Sequence, residues 1–155
     1  MDMTESRLAF ARDRLGVSET LLATGTPDDE QTLHSMTEGR LAEVVVDATG
    51  SHQSMSSSLA LCSYGGRLVY VGITQQNLSF SHAAVMHRRE LSILASRNAL
   101  PGDFTRIIGL IEKQQIDTRP WITHRVPFAE TAAVFPTLLE PGSGVLKAVV
   151  EMPSA

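Results

Sequence analysis

The chain has 155 residues, 43% of them hydrophobic, and a formal net charge of −4. That length supplies one compact core and falls short of two full domains. The acidic balance argues against nucleic acid or an anionic membrane as the main partner, because both attract basic surfaces. The single cysteine, Cys62, has no internal disulfide partner. Neither a secretory signal nor an apolar run of about 18 residues is found, so a reduced, cytoplasmic setting is expected. Cys62 falls in the apolar pattern of Leu59 and Leu61 and reads as a buried structural thiol.

Ser6 to Leu15 joins good helix formers to a mixed charged face and stops at Gly16, where a helix end favours a left-handed residue. Leu21 to Ala23 is a short apolar stretch before Thr24-Gly25-Thr26-Pro27, and Asp28 to Met36 starts a polar amphipathic helix, giving strand, turn, helix. Glu43-Val44-Val45-Val46-Asp47 is an uninterrupted β-branched run, the pattern of a parallel strand buried on both faces. Ser51 to Cys62 spaces Met55, Leu59 and Cys62 as a helix does, with Gly65-Gly66 as its stop and Leu68 to Val71 as the next buried strand. Asn77 to Phe80 reads as a short strand and Leu91 to Ala95 as another. Phe104 to Lys113 predicts an amphipathic helix with Ile107, Ile108, Leu110 and Ile111 inward. Ala129 to Leu139 predicts a helix that Pro136 should kink or divide, and Val145 to Val150 a closing strand. Strands and helices in this alternation make the fold class α/β, with a mostly parallel sheet, helices on both faces and right-handed crossovers.

In such a sheet the ligand crevice lies beyond the carboxyl ends of the strands, so the loops that follow strands are the candidate site. Three stand out: Asp47-Ala48-Thr49-Gly50, Val71-Gly72-Ile73 and Ser96-Arg97-Asn98-Ala99. The glycines let a flat ring approach the backbone, and the third loop adds a cation and an amide. Each loop alone is ordinary in an α/β protein.

Taken in order, DATGSHQSMSSSLALCSYGGRLVYVGI, QNLSF, HRRELSILASRNA, WITHRVPF and GVLKAVVE resemble the second half of zinc-type medium-chain alcohol dehydrogenases. SRNA is most similar to the branch that oxidises polyols and sugar acids. The opening DMTESRLAFARDRLG resembles the end of the second Rossmann strand and the helix after it. The resemblance implies a partial NAD-binding Rossmann domain over residues 1–125. It also implies a C-terminal helix and strand over 126–155 that return towards a catalytic domain. On the same resemblance Asp2 would hold the adenosine ribose with Arg7 beside it, and Ala48, Thr49 and Gly50 would border the adenosine and inner ribose. Val71, Gly72 and Ile73 would hold the nicotinamide carboxamide through their backbone, Ser96 and Arg97 would lie near the nicotinamide, and Lys147 near the pyrophosphate. A carboxylate at Asp2 favours NAD, since it would repel a 2′-phosphate. The residues themselves leave plainer readings open: Asp2 and Arg7 as a solvated terminus and a helix-face charge, Lys147 as a surface charge. His124 belongs to a motif with a packing role, and His52, His82 and His87 have no partner at zinc-ligand spacing.

The sequence contains no GxGxxG turn, and the Cys/His/Glu-type zinc site of the family finds no counterpart in it. In the strand order 3-2-1-4-5-6 this removes the central strand and bares two edges. Residues 1 to about 25 are therefore expected to be displaced or mobile, or the edge to be covered by another copy. QNLSF resembles the edge strand through which family dimers join, so a homodimer through Asn77–Phe80 is expected. The function so implied is the cofactor-binding portion of an NAD-dependent alcohol or polyol dehydrogenase, inactive as an isolated chain. The zinc and the alcohol substrate belong to the full-length family. The alternative is a dimerisation or partner-binding module that no longer uses a nucleotide. A methyltransferase-like Rossmann domain is disfavoured, because its glycine-rich loop is equally absent.

Overall fold

A computed structural model describes residues 1–140 and 142–153. Two compact units divide between Asn98 and Ala99. A boundary after residue 125 would instead fall inside a strand, Ile122–Pro127, that pairs with the last strand of the chain.

The first unit runs α1 (Glu5–Leu15), α2 (Asp28–Met36), β1 (Ala42–Asp47), α3 (His52–Ser57), β2 (Cys62–Tyr70), a π-helical turn (His82–His87) and β3 (Ser92–Ala95). The three strands form a parallel sheet in the order β1-β2-β3, with Val45, Leu68 and Ile93 in register across it. α1 ends at Gly16 and α2 spans Asp28–Met36, both as the sequence predicts. Of the predicted Leu21–Ala23 strand, Leu22 alone is paired, through an isolated parallel bridge to Asp2. The bridge is made by the Asp2 amide donating to the Leu21 carbonyl and the Ala23 amide to the Asp2 carbonyl.

The core sits on one face of this sheet. Leu59, Cys62, Leu68 and Leu91 are buried together, with Val45, Tyr70, Val85, Met86 and Ile93 packed against them. Burial of a leucine such as Leu68 contributes roughly 1.5–3 kcal/mol. The other face departs from expectation. Val44 and Val46 are 52% and 60% exposed, and Leu94 shares their face through its register with Val69. A β-branched run therefore formed the predicted parallel strand but not one buried on both faces, since Val44 and Val46 stay open to solvent on its second side. Helix also gives way to strand earlier than predicted. α3 is followed by a 3-10 turn at Ser58–Leu61, and β2 begins at Cys62. Gly65-Gly66 lies inside β2, where the register with β1 shifts, and so stops no helix. Asn77–Phe80 is not a strand, because it has no neighbouring strand among the described residues with which to form a ladder.

The second unit contains α4 (Pro101–Glu112), β4 (Ile122–Pro127), α5 (Thr131–Leu138) and β5 (Lys147–Glu151), with β4 and β5 parallel. Pro101 stands in the first turn of α4, where its missing N–H costs nothing, and the Asp103 carboxylate accepts from the Leu100 amide at 2.8 Å. Ile107, Ile108, Leu110 and Ile111 were predicted to face inward; Leu110 is half-buried and the three isoleucines are exposed, and α4 fully buries none of its residues. α5 is shorter than predicted and carries Pro136 in its last turn. Among the described residues no helix is long and apolar enough to cross a membrane.

Candidate functional site

Because β1, β2 and β3 are parallel, the loops that leave them meet at one edge of the sheet. The first two predicted loops are in direct contact there. A Cβ built on Gly72 would lie 2.5 Å from the Gly50 amide nitrogen and 3.2 Å from the Ala48 carbonyl carbon, and one on Gly50 would lie 3.2 Å from the Ile73 carbonyl oxygen. Ala48–Gly50 and Val71–Ile73 thus form one surface, backbone against backbone. The amides of Val71 and Gly72 both donate to the Asp47 carbonyl, at 2.8 and 2.9 Å. Ser96 joins the same edge by donating its amide to the Tyr70 carbonyl at 2.9 Å. Arg97 follows it, exposed and without a hydrogen bond or ion pair among the described residues.

Asp47 braces this surface from below. It is 3% exposed. One carboxylate oxygen accepts from the Thr49 amide and hydroxyl at 2.9 and 2.7 Å, and the other from the Ser54 hydroxyl at 2.8 Å. Ser51 in turn caps α3 by accepting from the Ser54 amide. The Thr49 hydroxyl is thereby spent on the loop itself, and what the loop presents outward is backbone.

A fourth loop reaches the site. Thr24-Gly25-Thr26 follows the Asp2–Leu22 bridge, and the Gln53 side-chain amide donates to the Gly25 carbonyl at 2.9 Å. Buried Asp29 holds that loop by accepting from the Thr24 amide, the Thr24 hydroxyl and the Gly25 amide. Burial pushes the Asp29 carboxyl up, but the hydrogen bonds from Thr24 and Gly25 outweigh it and leave the group below its ordinary range. Asp2 and Arg7 stand together at the start of this arm. The Asp2 carboxylate accepts from the Thr4 amide and lies 3.7 Å from the Arg7 guanidinium. Lys147 belongs to the second unit, at the start of β5.

Asp29 and Gln53 were not singled out from the sequence, and Asp47 only as the start of a loop. An Asp two residues before a Thr is a legible turn signal for Asp47. The Gln53–Gly25 bond spans 28 residues and leaves no local trace. Cys62 is wholly buried and burial pushes its thiol up, partly opposed by the Arg89 charge, so it is a core residue and not a nucleophile. The His52 ring meets the Asn77 carbonyl oxygen, and His82 and His87 lie with ring centroids 6.0 Å apart. Among the described residues no group of three or more His, Cys, Asp or Glu side chains could hold a metal ion. A zinc ion therefore finds no donor set among them. The closely approaching backbones of Gly50 and Gly72, in contrast, suit the flat surface of a nucleotide.

The family described as zinc-binding dehydrogenase is matched over residues 1–113. L-galactonate-5-dehydrogenase of Escherichia coli is 35% identical over 115 residues, covering 74% of this chain and 34% of that protein. L-arabinitol 4-dehydrogenase of Hypocrea jecorina is 27% identical, covering 97% of this chain and 40% of that protein. The chain thus spans between a third and two-fifths of the length of these relatives, which are sugar-acid and polyol dehydrogenases. Among solved structures, an alcohol dehydrogenase from E. coli in complex with NADH superimposes with a TM-score of 0.82 at 21% identity, over 96% of this chain and 42% of that one. The parallel α/β fold and the ordered sequence segments lead to the same place: the chain belongs to the zinc-binding dehydrogenase family.

Proposed function

We propose that this chain is the cofactor-binding portion of an NAD-dependent dehydrogenase of polyols or sugar acids. The observation that carries the reading is the contact of Gly50 with Gly72, which makes one backbone surface of two loops at the carboxyl edge of a parallel sheet. Ala48, Thr49 and Gly50 would border the adenosine and inner ribose, and Asp2, held next to Arg7, would accept from the adenosine ribose hydroxyls. Val71, Gly72 and Ile73 would hold the nicotinamide carboxamide through backbone groups, with Ser96 and Arg97 on the nicotinamide side. NAD, when bound, supplies the hydride acceptor. This chain's part is to bind and orient it.

The pyrophosphate is where the role is thinnest, because the sequence has no GxGxxG turn to present amides to it. Cofactor affinity in the isolated chain is therefore weak and turnover undetectable. Titration with NADH, read as enhanced nicotinamide fluorescence, tests the reading directly. A saturable rise supports it, and no change at millimolar cofactor overturns it. Incubation with NAD and a panel of polyols and sugar acids should form no NADH; steady formation would refute the inactivity.

A second role is favoured by the bare face of β1 and β3, where Val44, Val46 and Leu94 are exposed. There the chain would act as a dimerisation or partner-binding module that no longer uses a nucleotide. In either role Asn77–Phe80 would join two copies as a homodimer.

A further inference from the structure

At the opposite end of the sheet from the nucleotide surface, where the strands begin, lies a cavity of about 230 Å³ lined by His34, Arg40, Tyr64, Arg88 and Arg89. Arg40 stands two residues before β1, Tyr64 in the first half of β2, and Arg88 and Arg89 just ahead of β3. In a parallel sheet these positions share the amino-terminal edge. The cavity is therefore separate from the crevice at the carboxyl edge.

Its cations differ in how far they are already committed. Arg89 is fixed: its side chain is 17% exposed, Nη1 donates to the Ala60 and Cys62 carbonyls at 2.7 and 3.0 Å, and Nη2 to the Glu30 carboxylate at 3.1 Å. Arg40 meets Glu38 at 3.8 Å with both side chains open to solvent, a pair of little energy. Its Nε–H reaches the Thr37 carbonyl at 3.4 Å. The Arg88 guanidinium has no hydrogen bond or ion pair among the described residues, and the His34 ring and the Tyr64 hydroxyl have none either. Glu30 and Glu38 balance two of the three guanidiniums. One guanidinium charge, the His34 ring and the Tyr64 hydroxyl remain uncommitted around one small cavity, in a chain of net charge −4.

We infer that this cavity binds a small phosphate dianion, either inorganic phosphate or the phosphate of a monoester. A guanidinium fork matches two phosphate oxygens, which singles out Arg88 as the primary contact, with Arg40 turning from Glu38 to share the load. His34 and Tyr64 can donate to the remaining oxygens. The size suits a small ligand. A cavity of about 230 Å³ lies below the roughly 300–1,000 Å³ of pockets that enclose drug-sized molecules. It matches a phosphate group with a short carbon chain.

Calorimetric titration of the chain with sodium phosphate, against sodium chloride at matched ionic strength, is the test. The expected result is saturable binding, weakened about tenfold in Arg88→Gln and again in the Arg40→Gln double variant, as loss of a charge-assisted hydrogen bond implies. Arg88→Lys should fall between, and circular dichroism should be unchanged in all, because the Arg88 side chain makes no bond within the fold and the Arg40 side chain makes only a long bond to Thr37 and a solvent-exposed pair with Glu38. Glycerol phosphate is the second probe: tighter binding than phosphate identifies an ester as the ligand, and equal binding identifies phosphate itself. Heat that never saturates, or saturable binding that the double variant leaves intact, overturns the inference.

Discussion

Gly72 packs directly on Gly50, so closely that a Cβ at position 72 would fall 2.5 Å from the Gly50 nitrogen and 3.1 Å from its Cα. Every atom in the way is backbone, so no side chain can swing aside. Gly72→Ala should force the two loops apart, at a stability cost of about 1–3 kcal/mol, the range of overpacked sites. It should also abolish the NADH fluorescence response. Gly65→Ala is the control. Gly65 has a positive φ of 68° and open space around its missing Cβ, so that change carries only the conformational cost of roughly 1 kcal/mol. Urea denaturation of both variants, beside NADH titration, separates steric loss of the site from general weakening. A Gly72→Ala protein that responds to NADH like the parent would show that the contact does not shape the site.

Asp47 connects that surface to the helix behind it. Removing its carboxylate in Asp47→Ala leaves the Thr49 amide and hydroxyl and the Ser54 hydroxyl without their acceptor, in a position only 3% exposed. The expected loss is about 1–3 kcal/mol, the desolvation cost of unsatisfied donors. Asp47→Asn keeps one acceptor oxygen and should lose less. Thermal unfolding of the pair checks the order. Equal midpoints for Asp47→Ala and the parent would mean that the loop is held by other means.

The elements most legible in the sequence were those whose signal is local. The run of good helix formers ending at Gly16 gave α1, the polar amphipathic run after Pro27 gave α2, and the β-branched run at Val44–Val46 gave β1. What the sequence did not reveal depends on neighbours far along the chain. Whether the Val44–Val46 run is covered on one face or two depends on which helices lie over it. The same pattern fits both cases. Asn77–Phe80 has strand composition, but a strand needs a partner to pair with. The loops of the site were found because glycines after strands mark close approach. The supports of those loops, Asp29 and Gln53, were not: a polar residue in the first turn of a helix looks the same whether it faces water or folds back on the turn before it, as Asp29 does, and the partner of Gln53 lies 28 residues away.

Asp29 also sets a pH dependence. Its carboxyl is held below the ordinary range in the folded chain by the bonds from Thr24 and Gly25, against the upward push of burial. A lowered folded pKa contributes stability that is fully present above the unfolded value, near about 3.9, and is lost as pH falls through the folded pKa. The parent should therefore lose stability on acidification below about pH 4 through this group. Asp29→Asn should be less stable than the parent at neutral pH and show a shallower acid limb. Urea midpoints taken from neutral pH down to the acid transition measure both. Parallel curves for the two proteins would show that the Asp29 charge does not support the Thr24–Gly25 loop.

The proposed homodimer can be tested by the geometry of strand pairing. Along an extended segment successive N–H groups point to opposite sides, so of Leu78 and Ser79 only one can donate to a second copy. Proline at that position removes the donor and breaks the ladder; at the other it leaves the pairing edge intact. Neither amide donates a backbone hydrogen bond within the described residues. The fold should therefore tolerate both changes, with circular dichroism as the check. Sedimentation at micromolar concentration should show a dimer for the parent, a monomer for one of Leu78→Pro and Ser79→Pro, and a dimer for the other. The asymmetry is the informative part, because general disruption would affect both variants alike. A parent that sediments as a monomer would remove the dimer altogether. Dimers in both variants would move the interface away from Asn77–Phe80, towards the exposed face that carries Val44, Val46 and Leu94.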